Sequence, residues 1–276
     1  MRFRTMRADS ERHLEALALP GAAVAVESGR MGGRPGASGH SSGRCLLVFT
    51  KPPIPGRVKT RLIGHLSPGS AARLHRALLA DLLAARHGGD FAVRLAVALE
   101  DGERLPAVSH PVLSSVERQR GADLGERMFK ALSDAGRTHA YVAVIGSDLP
   151  GLDARRVEDA FDQLERGADV VLGPTADGGY YLLALRVERL DARLFNGVAW
   201  STSRVLEQTL ARCQTLRLRR AMLETGRDID RPADLDWLTE GLRAGRFQSP
   251  RVAEWLRLQG SGTEPRRGGA GAPRSA

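Results

Sequence analysis

Two hydrophobic periodicities alternate along this chain. Cys45-Leu46-Leu47-Val48-Phe49 and the stretch around Tyr141, Val144 and Ile145 are short continuous apolar runs, as expected of strands buried on both faces. Phe91 to Leu99 alternates Phe, Val, Leu, Val, Leu and reads as another strand. Leu74, Leu78 and Leu82 recur instead at helical spacing behind Ser67-Pro68, an N-cap followed by a first helical residue, and Gly88-Gly89 ends that element. Further on, the pattern predicts an extended piece at Val112–Val116, a helix over Leu124–Ala135, and a helix capped by Asp153 that runs to about Arg166. Strands follow at Asp169–Leu172 and Tyr180–Leu185, then a helix over Thr202–Arg212, a strand at Thr215–Arg219 and a last main helix opened by Arg231-Pro232. Strands alternating with helices imply an α/β fold. The expected architecture is a mostly parallel, Rossmann-like sheet with helices on both faces and ligands at the carboxyl ends of the strands.

With 276 residues, 42% of them hydrophobic, the chain can bury a substantial core. One domain over residues 45–259 is expected, between an N-terminal extension (1–44) and a Gly/Pro/Arg-rich tail (260–276). Neither flank could bury enough apolar surface to offset its ordering entropy, so both are expected to be disordered. Translation starting nearer Met31 would account for the extension. The net charge of +9 belongs largely to these flanks: seven Arg against four acids at the start and three Arg against one acid at the end leave +4 for the core. That spread, with 5% aromatics, argues against a nucleic-acid partner. Cys45 and Cys213 have no Cys or His neighbours at ligand spacing, which argues against a metal cluster or disulfide framework and fits a reducing cytoplasm. No apolar run is long enough to span a bilayer. Leu14–Val26, broken by Pro20-Gly21, is not a convincing signal peptide.

The candidate chemistry begins directly after the first strand. Pro52, Pro53 and Pro55 stiffen a loop in which Gly56 allows close backbone approach and Lys51, Arg57, Lys59 and Arg61 converge. A loop that is stiff before its ligand arrives loses less entropy on binding. Only Lys51, Lys59 and Lys130 among the 41 Lys and Arg are lysines, and two of the three stand here. A compact ammonium reaches a phosphate oxygen where a planar guanidinium would not fit. The alternative is an ordinary solvated basic loop.

Acids sit at the other strand ends. Gly146-Ser147-Asp148 places a carboxylate where it could hold a hard cation, or form an Asx-turn leading to the next helix. Asp228 and Asp230 flank Ile229 in extended alternation; Asp230, or less readily Asp228, could complete a metal site, or one of them could cap the following helix. In the loop from Gly173 to Tyr181, Gly178-Gly179 allows close approach to something bulky. Asp177 there is a candidate general base for an acceptor hydroxyl, or part of a hairpin turn. Gln119, Gly121 and Gly125 enter a helix whose N-terminus could face phosphate while the amide reads a base edge.

Six segments in order carry a family resemblance: K-P-P-I-P-G-R-V-K-T-R-L (51–62), Q-R-G-A-D-L-G-E-R-M (119–128), G-S-D-L-P (146–150), G-P-T-A-D-G-G-Y-Y (173–181), G-V-A-W-S-T (197–202) and D-I-D-R-P-A-D-L (228–235). Over residues 45–238 the chain resembles the bacterial radical-SAM/selenodomain-associated transferase 1 family. That family is placed with nucleotide-diphospho-sugar transferases of the GT-A fold and is similar to 2-phospholactate and molybdenum-cofactor guanylyltransferases. The resemblance implies that Lys51, Arg57, Lys59 and Arg61 cradle donor phosphates, with Lys59 also catalytic. It implies that Gln119, Gly121 and Gly125 border the base and that Asp148 with Asp230 holds Mg²⁺ or Mn²⁺. Asp177, Gly178, Gly179 and Trp200 would shape the acceptor side. Asp148-Leu149-Pro150 departs from the two aspartates flanking one residue that many glycosyltransferases carry.

Two reactions follow from these parts. In glycosyl transfer from an NDP-sugar, the metal and cationic loop neutralise the departing diphosphate and Asp177 takes the acceptor proton. In nucleotidyl transfer, a phosphate or phosphonate oxygen attacks an NTP and pyrophosphate leaves; the nucleophile is already anionic and needs no base. The expectation leans to the first. A non-catalytic nucleotide-binding protein is the third reading. The partners are thus a nucleotide donor and a small-molecule acceptor, and the sequence does not specify base, sugar, acceptor or oligomeric state.

Overall fold

A computed structural model describes residues 43–86, 89–106 and 108–260. Seven strands form one sheet: β1 (Arg44–Thr50), β2 (Ala92–Val97), β3 (Leu113–Arg118), β4 (Tyr141–Gly146), β5 (Val170–Pro174), β6 (Tyr180–Arg186) and β7 (Arg220–Met222). Their spatial order is β3-β2-β1-β4-β6-β5-β7. Only β6 runs against its neighbours, pairing antiparallel with β4 and β5; every other pairing is parallel. The fold is therefore a mixed α/β, Rossmann-like one with a mostly parallel sheet. The strand order reverses at β1, whose neighbours are β2 and β4, and open α/β sheets bind their ligands outside the strand ends at such a switch point.

The apolar runs form strands buried on both faces. Leu46 and Val48 point into a core shared with helices α1 (Pro68–Ala84) and α3 (Ala154–Glu165). Cys45 and Leu47 point into the opposite core, shared with α2 (Leu124–Ala135) and α4 (Val205–Thr215). Each fully buried Leu or Phe here contributes about 2 kcal/mol of transfer free energy. A third cluster joins the outer face of α1 to Ile229, α5 (Pro232–Arg243) and α6 (Pro250–Gly260). Ser67, Asp123 and Asp153 cap α1, α2 and α3 by accepting from Ser70 N, Glu126 N and Arg156 N.

Three expectations need correction. Residues 213–215 continue α4, and the following strand is Arg220–Met222, because Cys213 completes the buried face of that helix. The helix opened by Pro232 is not the last: α6 follows, its N-terminus held by buried Asp81, which accepts from Ser249 Oγ (2.8 Å) and Val252 N (3.1 Å), while Trp255 Nε1 donates to Ser70 O. Arg44 belongs to β1, where it pairs with Asp162 and Glu165. The expected disorder of 1–42 and 261–276, the Met31 start and the ending Gly88 all fall outside the described residues.

Candidate active site

The switch point places the ends of β1 and β4 side by side, and with them Thr50, Ser147 and Asp148. The segment after β7 then crosses the strand ends, tied by Leu223 N to Leu172 O, Gly226 N to Pro174 O and Ile229 N to Asp148 O, the last at 3.1 Å. This delivers Asp228 and Asp230 to Asp148 from far along the chain.

Lys59 lies at the centre. Its side chain is 2% exposed, and its Nζ is 2.7 Å from Asp148 Oδ1 and 3.4 Å from Asp230, while it donates to Ile229 O at 2.6 Å. All three ammonium protons thus have protein acceptors. Lys59 also holds left-handed backbone (φ 51°), which costs a non-glycine residue about 1–2 kcal/mol. The surrounding structure holds Lys59 there against that strain.

The carboxylates are not equivalent. Burial would push the Asp148 carboxyl up, but Lys59 and His75 outweigh it and hold the group well below the usual carboxylate range. Asp228 moves the other way: burial first, then the Asp148 carboxylate, with Asp230 and Asp177 adding, push it up to about 7 against the pull of Lys59. Asp230 also meets Arg61 at 3.5 Å. Neither proposed capping role falls to these acids. Asp234 caps α5 by accepting from Asp230 N and Arg231 N, and Asp153 caps α3, which leaves the Asp148 and Asp230 side chains to the cluster. Among the described residues no group of three or more His, Cys, Asp or Glu side chains is preassembled to hold a metal ion.

The structure brings some predicted residues to this cluster and directs others elsewhere. Lys51 and Arg61 are exposed beside it. Arg57 turns to Glu100 (2.7 Å) and Glu103 (2.6 Å) in the loop after β2. Gln119 spends its amide N–H groups on Ala96 O and Thr50 O, bracing strand ends. Gly121 (φ 148°) is required locally, because a Cβ would meet Arg127 N at 2.7 Å. Gly125 makes room for Trp200, whose Nε1 would lie 2.5 Å from a Cβ there; the expected base side and acceptor side therefore touch. That indole N–H is buried without a hydrogen-bond partner, and its ring meets Tyr180 edge-on. Gly178 accommodates the chain's own Ser203 carbonyl oxygen, which would lie 2.1 Å from a Cβ at that position, and Gly179 N donates to Asp177. Asp177 is exposed, and its Oδ1 accepts from Thr175 Oγ1 (2.6 Å) and Gly179 N (3.2 Å), which is the hairpin-turn arrangement.

Sequence reasoning missed Thr50, His75 and Ser147. His75 is buried on α1, with Nε2 3.1 Å from both Thr50 Oγ1 and Lys51 O and Nδ1 3.5 Å from Asp148 Oδ1; Thr50 Oγ1 is 3.2 Å from Ser147 Oγ. The signal available was a histidine inside the apolar Leu74/Leu78/Leu82 stripe.

Comparisons with known proteins bear on the fold and the family. Residues 79–202 match the family DUF2064, described as uncharacterized proteins conserved in bacteria. No curated protein matches the chain. Among solved structures, a candidate nucleotide-diphospho-sugar transferase from Desulfovibrio desulfuricans G20 is 29% identical over 80% of this chain and 96% of its own, with a TM-score of 0.72. A cytidylyltransferase from Leptospira borgpetersenii is 15% identical over 79% and 95%, with a TM-score of 0.47. The 2-C-methyl-D-erythritol 4-phosphate cytidylyltransferase of Thermus thermophilus is 21% identical over 72% and 97%, with a TM-score of 0.43. Over most of its length the chain is thus similar in fold to the Desulfovibrio protein. No helix among the described residues is long and apolar enough to cross a membrane.

Proposed function

We propose that this chain is a metal-dependent transferase that takes a group from a nucleotide donor. The observation that carries the reading is the convergence of Asp148, Asp228 and Asp230 on one buried lysine at the switch point, with Lys51 and Arg61 exposed beside them. The residues fit a divalent cation: three carboxylates, Asp148, Asp228 and Asp230, share the single buried ammonium of Lys59, and burial together with the Asp148 charge raises Asp228, a repulsion a cation would relieve. Mg²⁺ or Mn²⁺ takes one or two carboxylates and completes its shell with phosphate oxygens and water, so Asp148 with Asp230 or Asp228 suffices. When bound, the ion would neutralise charge on the donor phosphates. Lys59, beside the same carboxylates, would be placed to contact a phosphate oxygen, and Lys51 and Arg61 would share that charge.

Within this class the site favours nucleotidyl transfer from an NTP to a phosphate- or phosphonate-bearing acceptor. Asp177 is tied into its own turn, and an anionic nucleophile needs no base. Glycosyl transfer from an NDP-sugar is the second reading, supported by the name of the Desulfovibrio protein and by the unpartnered Trp200 N–H where an acceptor would lie. We place the reaction in the cytoplasm, where the free thiols of Cys45 and Cys213 stay reduced.

The test is a thermal-shift screen with Mn²⁺ against NTPs and NDP-sugars, followed by product assay with phosphorylated acceptors. Pyrophosphate release supports nucleotidyl transfer and free NDP supports glycosyl transfer. No Mn²⁺-dependent shift with any donor would sink the proposal.

A further inference from the structure

We infer that His75 is the positioning residue of this site, a buried hinge pin that fixes the Asp148 carboxylate and the first residue of the cationic loop relative to one another. The inference rests on the reading of Asp148 as a metal ligand. It is carried by contacts on three segments: Asp148 after β4, Thr50 and Lys51 at the end of β1, and α1, which supplies the ring itself.

The ring geometry fixes which nitrogen faces what. Nδ1 lies 3.5 Å from a carboxylate oxygen, which can only accept, so the proton belongs on Nδ1. Nε2 faces Lys51 O and Thr50 Oγ1, both at 3.1 Å. With Nε2 bare, it accepts from the Thr50 hydroxyl; with Nε2 protonated, it donates to the Lys51 carbonyl. In both states Nδ1 stays the ring nitrogen 3.5 Å from Asp148 Oδ1, so the positioning does not depend on the ring's charge. The line Thr50–His75–Asp148 has the order of a hydrolase triad, but the Thr50 hydroxyl is buried and already meets Ser147 Oγ at 3.2 Å. It is a brace rather than a nucleophile. His75 itself is 4% exposed, packed in the helix whose neighbours Leu74 and Leu78 are core residues, so the ring has little room to drift.

The consequence is the one seen where a residue behind a metal ligand orients it: its loss costs about 10–100-fold in metal affinity without removing a ligand. Two substitutions separate the two ring nitrogens. Asn places an amide nitrogen near the Nδ1 position, and Gln places one near Nε2. Mn²⁺ binding, followed by electron paramagnetic resonance of free ion on the full chain, is expected to stay within about threefold of wild type in His75→Asn. In His75→Gln it is expected to fall by about tenfold or more. Equal affinities in wild type and both variants, or equal losses matched by equal falls in melting temperature, would overturn the inference. Wild-type protein that binds no Mn²⁺ would instead overturn the metal reading beneath it. Imidazole-selective ¹⁵N NMR of wild-type protein supplies a readout that needs no variant. A protonated His75 Nδ1 whose resonance moves on adding Mg²⁺ supports the role, and an unprotonated Nδ1 removes it.

Discussion

At the amino-terminal edge of the sheet, Asp169 precedes β5 and accepts from Arg219 N (2.8 Å), Nε (3.1 Å) and Nη2 (3.0 Å), with Arg189 at 3.4 Å. At the carboxyl-terminal edge, Asp228 faces Asp148, Asp230 and Asp177, with Lys59 as the nearby cation that pulls against them. The hydrogen bonds from Arg219 hold the Asp169 carboxyl below its usual range, whereas burial and like charge push Asp228 up to about 7. One sheet therefore carries two treatments of the same side chain. Acids matched to bases make the lower edge a clamp, and acids left in excess make the upper edge a receptor for positive charge.

The sharpest way to break this contrast is to remove the acid that both edges would call structural. Asp148→Ala leaves the buried Lys59 ammonium without its nearest countercharge, although Ile229 O and Asp230 remain. A loss of about 3 kcal/mol in urea unfolding is expected, together with loss of Mn²⁺ binding. Asp169→Ala is expected to cost about 2 kcal/mol, since it removes charge-assisted hydrogen bonds but leaves Arg219 largely in solvent. Its Mn²⁺ affinity should match wild type. A change in metal affinity there would show that the two edges are not independent.

The lower edge should also contribute to the acid dependence of stability, as Asp148 does at the upper one. Because the folded Asp169 carboxyl is depressed, the unfolded chain binds the proton more readily, and falling pH favours unfolding. The contribution is fully present above the unfolded value of about 4 and is lost as pH falls through the folded one. The stability difference between wild type and Asp169→Asn, measured at pH 7 and at pH 3, should shrink on acidification. A difference that stays constant would mean that shape, not charge, holds this clamp.

These edges were not equally legible in the sequence. Continuous apolar runs gave the buried strands, and Ser67 and Asp153 announced their helices, because those signals are local. Asp148, just beyond β4, was legible for the same reason, since strand polarity sends it to the ligand edge; Asp228 and Asp230 reach that edge only because the segment after β7 crosses the strand ends. Side-chain partners were not legible. Nothing local says that Arg57 leaves its loop for Glu103, that Gly125 exists to admit Trp200, or that Lys59 reaches Ile229, 170 positions away. The helix α6 escaped because its anchor, Asp81, sits on α1. His75 escaped because a histidine among leucines is usually only a packed residue; what distinguishes it is a carboxylate from β4.

The gentlest substitution discriminates best between clamp and receptor. Asp228→Asn keeps the shape of the side chain and removes one of the repelling charges at the upper edge. If that edge is kept acidic for a ligand, the folded protein without metal should gain about 1 kcal/mol at pH 7.5, as when other strained functional groups are neutralised. Addition of Mn²⁺ should then reverse the ranking, because the ion stabilises only a site with enough negative charge to hold it. Melting temperatures of the two proteins with and without Mn²⁺ decide the matter. A variant that is less stable in both conditions would make Asp228 a structural acid like Asp169, and the upper edge a second clamp.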